Sequence, residues 1–179
     1  EAFAKRGANV TLIAGPVNLA TPKNVHRIDV TTAHEMWQAS LESAVKNRIF
    51  IGCAAVADYR VAEVAEQKIK KTNDNNELSL KLVKNPDIIA SVASLEKDRP
   101  FVVGFAAETQ NVAEYAKSKL QRKNLDMICA NDVSGGQVFG QDQNALQIFW
   151  KTGEKALPLA DKNKLAELLV TEIIEHYHK

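Results

Sequence analysis

Three short clusters hold most of the side chains that could do chemistry. Lys68-Ile69-Lys70-Lys71 puts three cations into four residues. Asp58 closes an apolar run, Ala54-Ala55-Val56-Ala57, and Lys84-Asn85-Pro86-Asp87 precedes another. Lysine ammoniums are adaptable point charges for phosphate oxygens. If this cluster is extended, Lys68 and Lys70 share a face and Lys71 points away. A solvated charged loop explains the same lysines. A strand-end carboxylate such as Asp58 can accept from ligand hydroxyls or amines, or position Mg²⁺ through water. It also serves as a local turn cap. Asn85-Pro86-Asp87 has the composition of a helix entrance, where proline's missing donor costs nothing and free N–H groups can face an anion. Ordinary capping by Asn85 or Asp87 is the plain alternative. Together the clusters suit a phosphate-rich ligand.

Other candidates lie further along. Phe105 ends an apolar run and can stack on a nucleobase or fill the core. Lys119 and Lys123 are four apart and share a helix face, where they either grip phosphate or solvate that face. Asn131-Asp132 follows another apolar run, lining a cleft or forming an Asx turn. No Ser-His-Asp set, HExxH helix or complete GxxxxGK[ST] loop is visible, and Gly135-Gly136 is a permissive loop pair. That favours chemistry driven by positioning and phosphate stabilisation.

These residues need a scaffold, and the pattern predicts one. Asn9 to Ala14, Val25 to Val30, Asn47 to Ala55, Phe101 to Ala107 and Leu125 to Ala130 read as strands. The run from Asn47 to Ala55 lacks polar alternation, as expected of a parallel strand covered on both faces. Helices are expected after Thr31 or Thr32, with Glu35 in the first turn and Met36, Leu41 and Val45 on the apolar side. Others follow Asn85 or Asp87 through Leu95, run along Val112, Tyr115, Ala116 and Leu120, and span Lys162 to Tyr177 with Leu165, Leu168, Leu169 and Ile173 inward. Phe139 to Asn144 is loop-like. Leu146 to Trp150 and Lys155 to Leu159 form an antiparallel hairpin across Thr152-Gly153. Leu78 to Leu82 alternates, with one apolar face. That excursion either packs against something, such as a second subunit, or is a plain surface ribbon. The fold class is α/β: a Rossmann-like, doubly wound, mostly parallel sheet with an additional strand excursion and a C-terminal antiparallel hairpin. Its ligand edge collects Gly15, Asp58, Asp87, Phe105-Ala106 and Asn131.

The bulk numbers narrow the function classes. The 179 residues suffice for one α/β domain with a substantial core. Lys and Arg total 23 against 22 Asp and Glu, so no general polyanion-binding signal exists and nucleic acid is not an expected partner. Cys53 and Cys129 are expected as buried, reduced core residues, since their spacing makes neither a metal knuckle nor a redox pair. No stretch approaches the ~20 apolar residues of a membrane span, so a cytoplasmic protein is expected. Glu1 to Gly7 reads as the tail of a helix stopped by Gly7. A first strand and a phosphate-facing loop are expected to precede it.

Read as a set, these motifs resemble the phosphopantothenoylcysteine synthetase family, the C-terminal half of the bacterial bifunctional coenzyme A biosynthesis protein. The resemblance rests on Gly15-Pro16-Val17, Ala54 to Arg60, Lys68 to Lys71 and Lys84 to Ile88. Val103 to Thr109, Asn124-Leu125-Asp126 and Asn131 to Ser134 extend it over nearly the whole chain. It implies a ligase that uses CTP and Mg²⁺ to join 4′-phosphopantothenate and L-cysteine through an acyl cytidylate. It further implies Lys68 as the catalytic lysine. Ala54, Asp58, Lys68, Pro86, Asp87, Ile88, Ile89, Phe105, Lys119 and Lys123 become the CTP site, with Lys70 and Asn131 as substrate-binding candidates. The family also implies a homodimer, with Leu78 to Leu82 as the interface candidate, and a decarboxylase half in the full polypeptide. An Asn-containing, Ser/Gly-rich segment that helps hold the acyl cytidylate is expected ahead of Glu1.

Overall fold

Strands and capped helices alternate along the chain. The computed structural model describes residues 1–70, 78–108, 110–132 and 143–178. In chain order these are α1 (Ala2–Lys5), β1 (Val10–Ala14), β2 (Val25–Asp29), α2 (Ala33–Ala44), β3 (Ile49–Gly52), β4 (Tyr59–Val61) and β5 (Leu82–Lys84). They continue as α3 (Ile88–Ala93), β6 (Phe101–Glu108), α4 (Val112–Arg122), β7 (Met127–Asp132), β8 (Gln143–Trp150), β9 (Gly153–Asp161) and α5 (Lys162–Tyr177). Lys71, Gly135-Gly136, Thr109, Val133-Ser134 and the expected loop as far as Asp142 lie outside the described residues.

A five-stranded sheet runs in the order β3-β6-β7-β8-β9. β3, β6 and β7 are parallel, while β8 and β9 return antiparallel as the expected hairpin. β1 and β2 form a separate parallel pair. β4 and β5 make a small antiparallel ribbon.

Alternate side chains feed two cores. On one face Val102, Ala106, Ile128 and Ala130 meet Val92 and Ala93 of α3, Ala116 and Leu120 of α4, and Ala44 of α2. On the other, Val103, Met127, Cys129 and Ile148 meet Leu165, Leu169 and Ile173 of α5. Phe3 of α1 joins this second face, and Arg6 ties α1 to α5 through Thr171 Oγ1 at 2.6 Å.

The helix ends follow from local chemistry. Thr32 Oγ1 accepts from Glu35 N at 3.1 Å while the Glu35 carboxylate accepts from Thr32 N at 3.0 Å, the reciprocal capping box that the spacing predicts. Hydrogen bonds from the Thr31 and Thr32 amides hold the Glu35 pKa below its ordinary value. Asp161 caps α5 by accepting from Lys164 N. Gly7 adopts φ +84°, the left-handed conformation that ends α1.

The sheet edge remote from the strand tips is closed by one carboxylate. Asp126 Oδ2 accepts from Val102 N and from Arg99 Nη1, each at 2.7 Å. Arg99 also donates to the carbonyls of Ala93, Pro100 and Asn124.

Several expectations are corrected. β3 stops at Gly52, not Ala55, and is an edge strand whose residues are all half-buried. Cys53 is therefore exposed, whereas Cys129 is buried as expected. Burial, assisted by charge at Cys53, pushes the Cys129 thiol up to about 12; desolvation also raises Cys53. Val45 and Tyr115 are exposed at the margins of their helices. β8 and β9 are longer than expected, taking Asn144 out of the loop. The excursion pairs through Leu82–Lys84, and Leu78 to Leu80 belong to no strand. Its partner β4 has no apolar signature. Residues 68–70 are irregular, so the shared-face alternation of Lys68 and Lys70 does not arise from a strand.

One close approach seats α3 on the sheet. Gly52 and Gly104 are register partners on β3 and β6. A Cβ on Gly52 would meet Ile89 Cδ1 at 3.0 Å; one on Gly104 would meet Ile89 at 3.1 Å and Leu125 Cδ1 at 2.8 Å. Two adjacent glycines thus form a flat seat for Ile89. Gly104→Ala should lower unfolding stability by about 1–3 kcal/mol in urea titration, the usual cost of overpacking. An unchanged midpoint would mean that Ile89 and Leu125 yield freely.

Candidate functional site

The strand tips of β3 and β6 and the start of α3 bring part of the expected site together. After β3 the chain passes Ala54, which is exposed, and reaches Asp58, whose side chain is also exposed. The Asp58 carbonyl accepts from Asn85 N at 2.8 Å, and Asn85 Nδ2 donates to the Ala57 carbonyl at 2.8 Å. Two of the three sequence clusters are therefore in direct contact. Arg60 Nη1 donates to the Lys84 carbonyl at 2.7 Å and to Asn85 Oδ1 at 3.3 Å.

The turn from Asn85 into α3 follows from its sequence. Pro86 biases Asn85 towards extended backbone. Asp87, not Asn85, is the N-cap: its Oδ1 accepts from Ala90 N at 3.1 Å. Its Oδ2 receives Lys123 Nζ at 2.8 Å. Burial opposes ionisation of Asp87. Hydrogen bonds from Lys123 and Ala90 N, with the charges of Lys123 and Arg122, outweigh it and hold its pKa below the ordinary 3.8. The α3 entrance thus already carries a carboxylate on one of its donors. Ser91 Oγ accepts from Trp37 Nε1 at 3.1 Å and anchors α3 to α2.

Lys119 and Lys123 sit one turn apart at the end of α4, linked by Lys123 N donating to the Lys119 carbonyl. Both are half-buried, as are Pro86, Ile88 and Ile89. Phe105 occupies the opposite face, half-buried against the α5-side core. Its register partner is Cys129, and two residues on, Asn131 pairs with Ala107. Phe105 and Asn131 therefore share a face, while Ile89 and Lys123 approach the tips from the other side. Asn131 Oδ1 is buried with no hydrogen-bond partner among the described residues, where a buried oxygen ordinarily has a donor. Lys68 and Lys70 are exposed and have no ion-pair partner among the described residues.

Among the described residues the arrangement lies along the sheet edge, with Ala54, Asp58 and Asp87 exposed. A cavity of about 350 Å³ exists elsewhere, at the β8–β9 turn between Trp150 and Lys117, Asn124 and Glu154. It contains none of the expected site residues, and Lys117 there is paired with Glu154 at 2.6 Å. Among the described residues no group of three or more His, Cys, Asp or Glu could hold a metal. No helix of the described residues is long and apolar enough to cross a membrane.

Sequence reasoning gave Arg60 no function at this edge and read Asn85 as part of a helix entrance or cap, not as a tie to the Asp58 loop. The available signals were an arginine two residues after the strand-end carboxylate and an asparagine fixed before proline.

The family model of the DNA/pantothenate metabolism flavoprotein C-terminal domain matches residues 1–177. This chain belongs to that family. The family includes relatives named coenzyme A biosynthesis bifunctional protein CoaBC. The one from Haemophilus influenzae is 75% identical over 179 residues, and the one from Escherichia coli 59% identical over 178. These alignments take in 100% and 98% of this chain, and the chain spans 44% of each relative's length. Among solved structures, the C-terminal domain of a CoaBC protein superposes with a TM-score of 0.77 at 32% identity, over 95% of this chain and 75% of that one. The DNA/pantothenate metabolism flavoprotein from Streptococcus pneumoniae shares the fold at 19% identity and a TM-score of 0.78, over 98% of this chain and 84% of that one. The family's mixed α/β architecture with a mainly parallel central sheet is thus the one described above.

The Asp87–Lys123 pair gives a pH prediction. A depressed carboxyl pKa adds stability above the unfolded value of 3.8 and loses it as pH falls through the folded value. Asp87→Asn keeps a capping oxygen but not the charge. Wild type should exceed Asp87→Asn in melting temperature at neutral pH, and the gap should close in acid below 3.8. A gap independent of pH would remove the ionic contribution.

Proposed function

We propose that the chain is the synthetase domain of a phosphopantothenate–cysteine ligase that uses CTP. A carboxylate oxygen of 4′-phosphopantothenate attacks the α-phosphorus of CTP, and pyrophosphate leaves. The amine of L-cysteine then attacks the acyl carbon, loses a proton, and displaces CMP to give the amide. The reading is supported above all by the family match over residues 1–177 coinciding with the contact between the Asp58 loop and the Asn85-Pro86-Asp87 entrance. A domain built for positioning suits a reaction whose barrier falls when carboxylate and phosphorus are held together.

The residues take the following parts. Lys68 neutralises phosphate charge developing during attack, a use favoured by its exposure and its lack of an ion-pair partner among the described residues. Ala54, Asp58 and residues 86–89 form the edge along which the triphosphate lies, with Lys119 and Lys123 supplying positive charge. Phe105 and Asn131 face the site from the opposite side of the sheet. Asn131 Oδ1, without a partner among the described residues, suits an amide or amine donor of a substrate, and Lys70 is the further substrate-binding candidate. Asp58, exposed beside this edge, would help position Mg²⁺ through water while phosphate oxygens supply most of its coordination. When bound, the ion would supply positive charge that stabilises the departing pyrophosphate.

The working form is proposed to be a cytoplasmic homodimer, in a polypeptide whose other half is the decarboxylase. Leu78, Leu80 and Leu82 expose 67%, 61% and 55% of their surfaces, and Tyr59 on the paired strand exposes 52%. A contiguous apolar arm of this kind suits a protein contact.

Three outcomes test this. Full-length protein supplied with CTP, Mg²⁺, 4′-phosphopantothenate and L-cysteine should form amide, CMP and pyrophosphate in equal amounts. Lys68→Gln should slow acyl-cytidylate formation about 100-fold, the scale of losing one transition-state donor, with the melting temperature retained. No CTP-dependent product from wild type would refute the ligase reading; an unchanged Lys68→Gln rate would refute only the lysine's part. Leu80→Asp should shift the protein from dimer to monomer in sedimentation velocity, and a persistent dimer would move the interface elsewhere.

A further inference from the structure

We propose that Asn85 and Arg60 are positioning residues that set the separation between the Asp58 loop and the α3 entrance. This rests on the ligase reading above, in which a triphosphate lies along both segments. Asn85 commits its amide groups to the tie. Its N–H donates to the Asp58 carbonyl at 2.8 Å, its Nδ2 to the Ala57 carbonyl at 2.8 Å, and its Oδ1 accepts from Arg60 at 3.3 Å. The amide's orientation is fixed by chemistry: a carbonyl faces Nδ2, and a guanidinium, which only donates, faces Oδ1.

Arg60 closes the other side. Its 2.7 Å bond to the Lys84 carbonyl crosses the ribbon at the Tyr59–Lys84 register pair. Beyond the antiparallel ladder of the ribbon, Ala62 N donates to the Lys81 carbonyl. Asp58 thus has held residues on both sides, Ala57 and Tyr59. Asn85 is followed directly by Pro86 and Asp87, and Asp87 is pinned by Ala90 N and Lys123. The distance from Asp58 to the α3 entrance is therefore fixed by side chains that need not touch nucleotide themselves.

Location argues for positioning over folding. Arg60 is exposed, Asn85 is half-buried, and neither belongs to either apolar core. Exposed hydrogen bonds add little to stability because water replaces them readily. At a site that must hold a ligand to within a fraction of an ångström, the same bonds matter more.

The test uses full-length protein carrying Asn85→Ala, Arg60→Ala or Asn85→Asp. Asn85→Asp keeps an acceptor for Arg60 but sets an oxygen against the Ala57 carbonyl. Each variant should raise KM for CTP by about tenfold or more, while KM for L-cysteine and the rate of acyl transfer to cysteine stay unchanged. A purely structural tie would instead lower kcat with KM constant, by reducing the active fraction. Without nucleotide, hydrogen exchange should accelerate in Asn85→Ala over both 54–62 and 84–91. An unchanged KM for CTP in an active wild-type background, or exchange unaltered in both segments, overturns the proposal and leaves the ligase reading intact. A wild type that turns over no CTP overturns the reading and this proposal with it. Should Asn85→Ala fail to fold, Arg60→Ala and Asn85→Asp decide.

Discussion

The seat made by Gly52 and Gly104 for Ile89 is the contact on which the candidate site most depends. A six-residue helix has little stability of its own. α3 holds its place because Ile89 lies directly over two paired strands where any Cβ would intrude, while Val92 and Ala93 enter the core. That seat fixes where Asp87 begins the helix, and Asp87 in turn fixes Lys123. The ribbon, the strand-end loop and the α4 lysine all converge on a segment located by one isoleucine and two missing methyls.

Charge is distributed at this edge in a graded way. The chain as a whole is nearly neutral, at +1, so attraction for a polyanion has to come from local groups. Lys123 is already committed to Asp87, whereas Lys68 and Lys70 project from an irregular exposed segment. A phosphate chain would compete for the first and find the other two available.

What the sequence made legible was whatever is encoded locally. The Thr32-to-Glu35 box, the glycine stop at Gly7, the α5 span and the returning hairpin all depend on neighbours a few residues apart. The three chemical clusters were legible because charge, Asn-Pro and a strand-end Asp are local signals too. The rest depended on distant partners. Tyr59–Val61 has no strand pattern and becomes one only by pairing with Leu82–Lys84. Separation of β1–β2 from the larger sheet is a matter of which edges meet, which alternation does not encode. Cys53 was misjudged because β3 ends early. Asn85 looked like a cap because its amide partners lie 25 and 28 positions away.

Asp126 shows what the opposite rim contributes. With one carboxylate oxygen taking both a backbone amide and the Arg99 guanidinium, that rim satisfies its own polar groups from within. The molecule is consequently asymmetric under mutation. Changes that retune recognition at the tips of β3, β6 and β7 draw little on the bonds that close the far rim. A lineage could therefore explore new loop chemistry at one end while its foldability stays protected at the other.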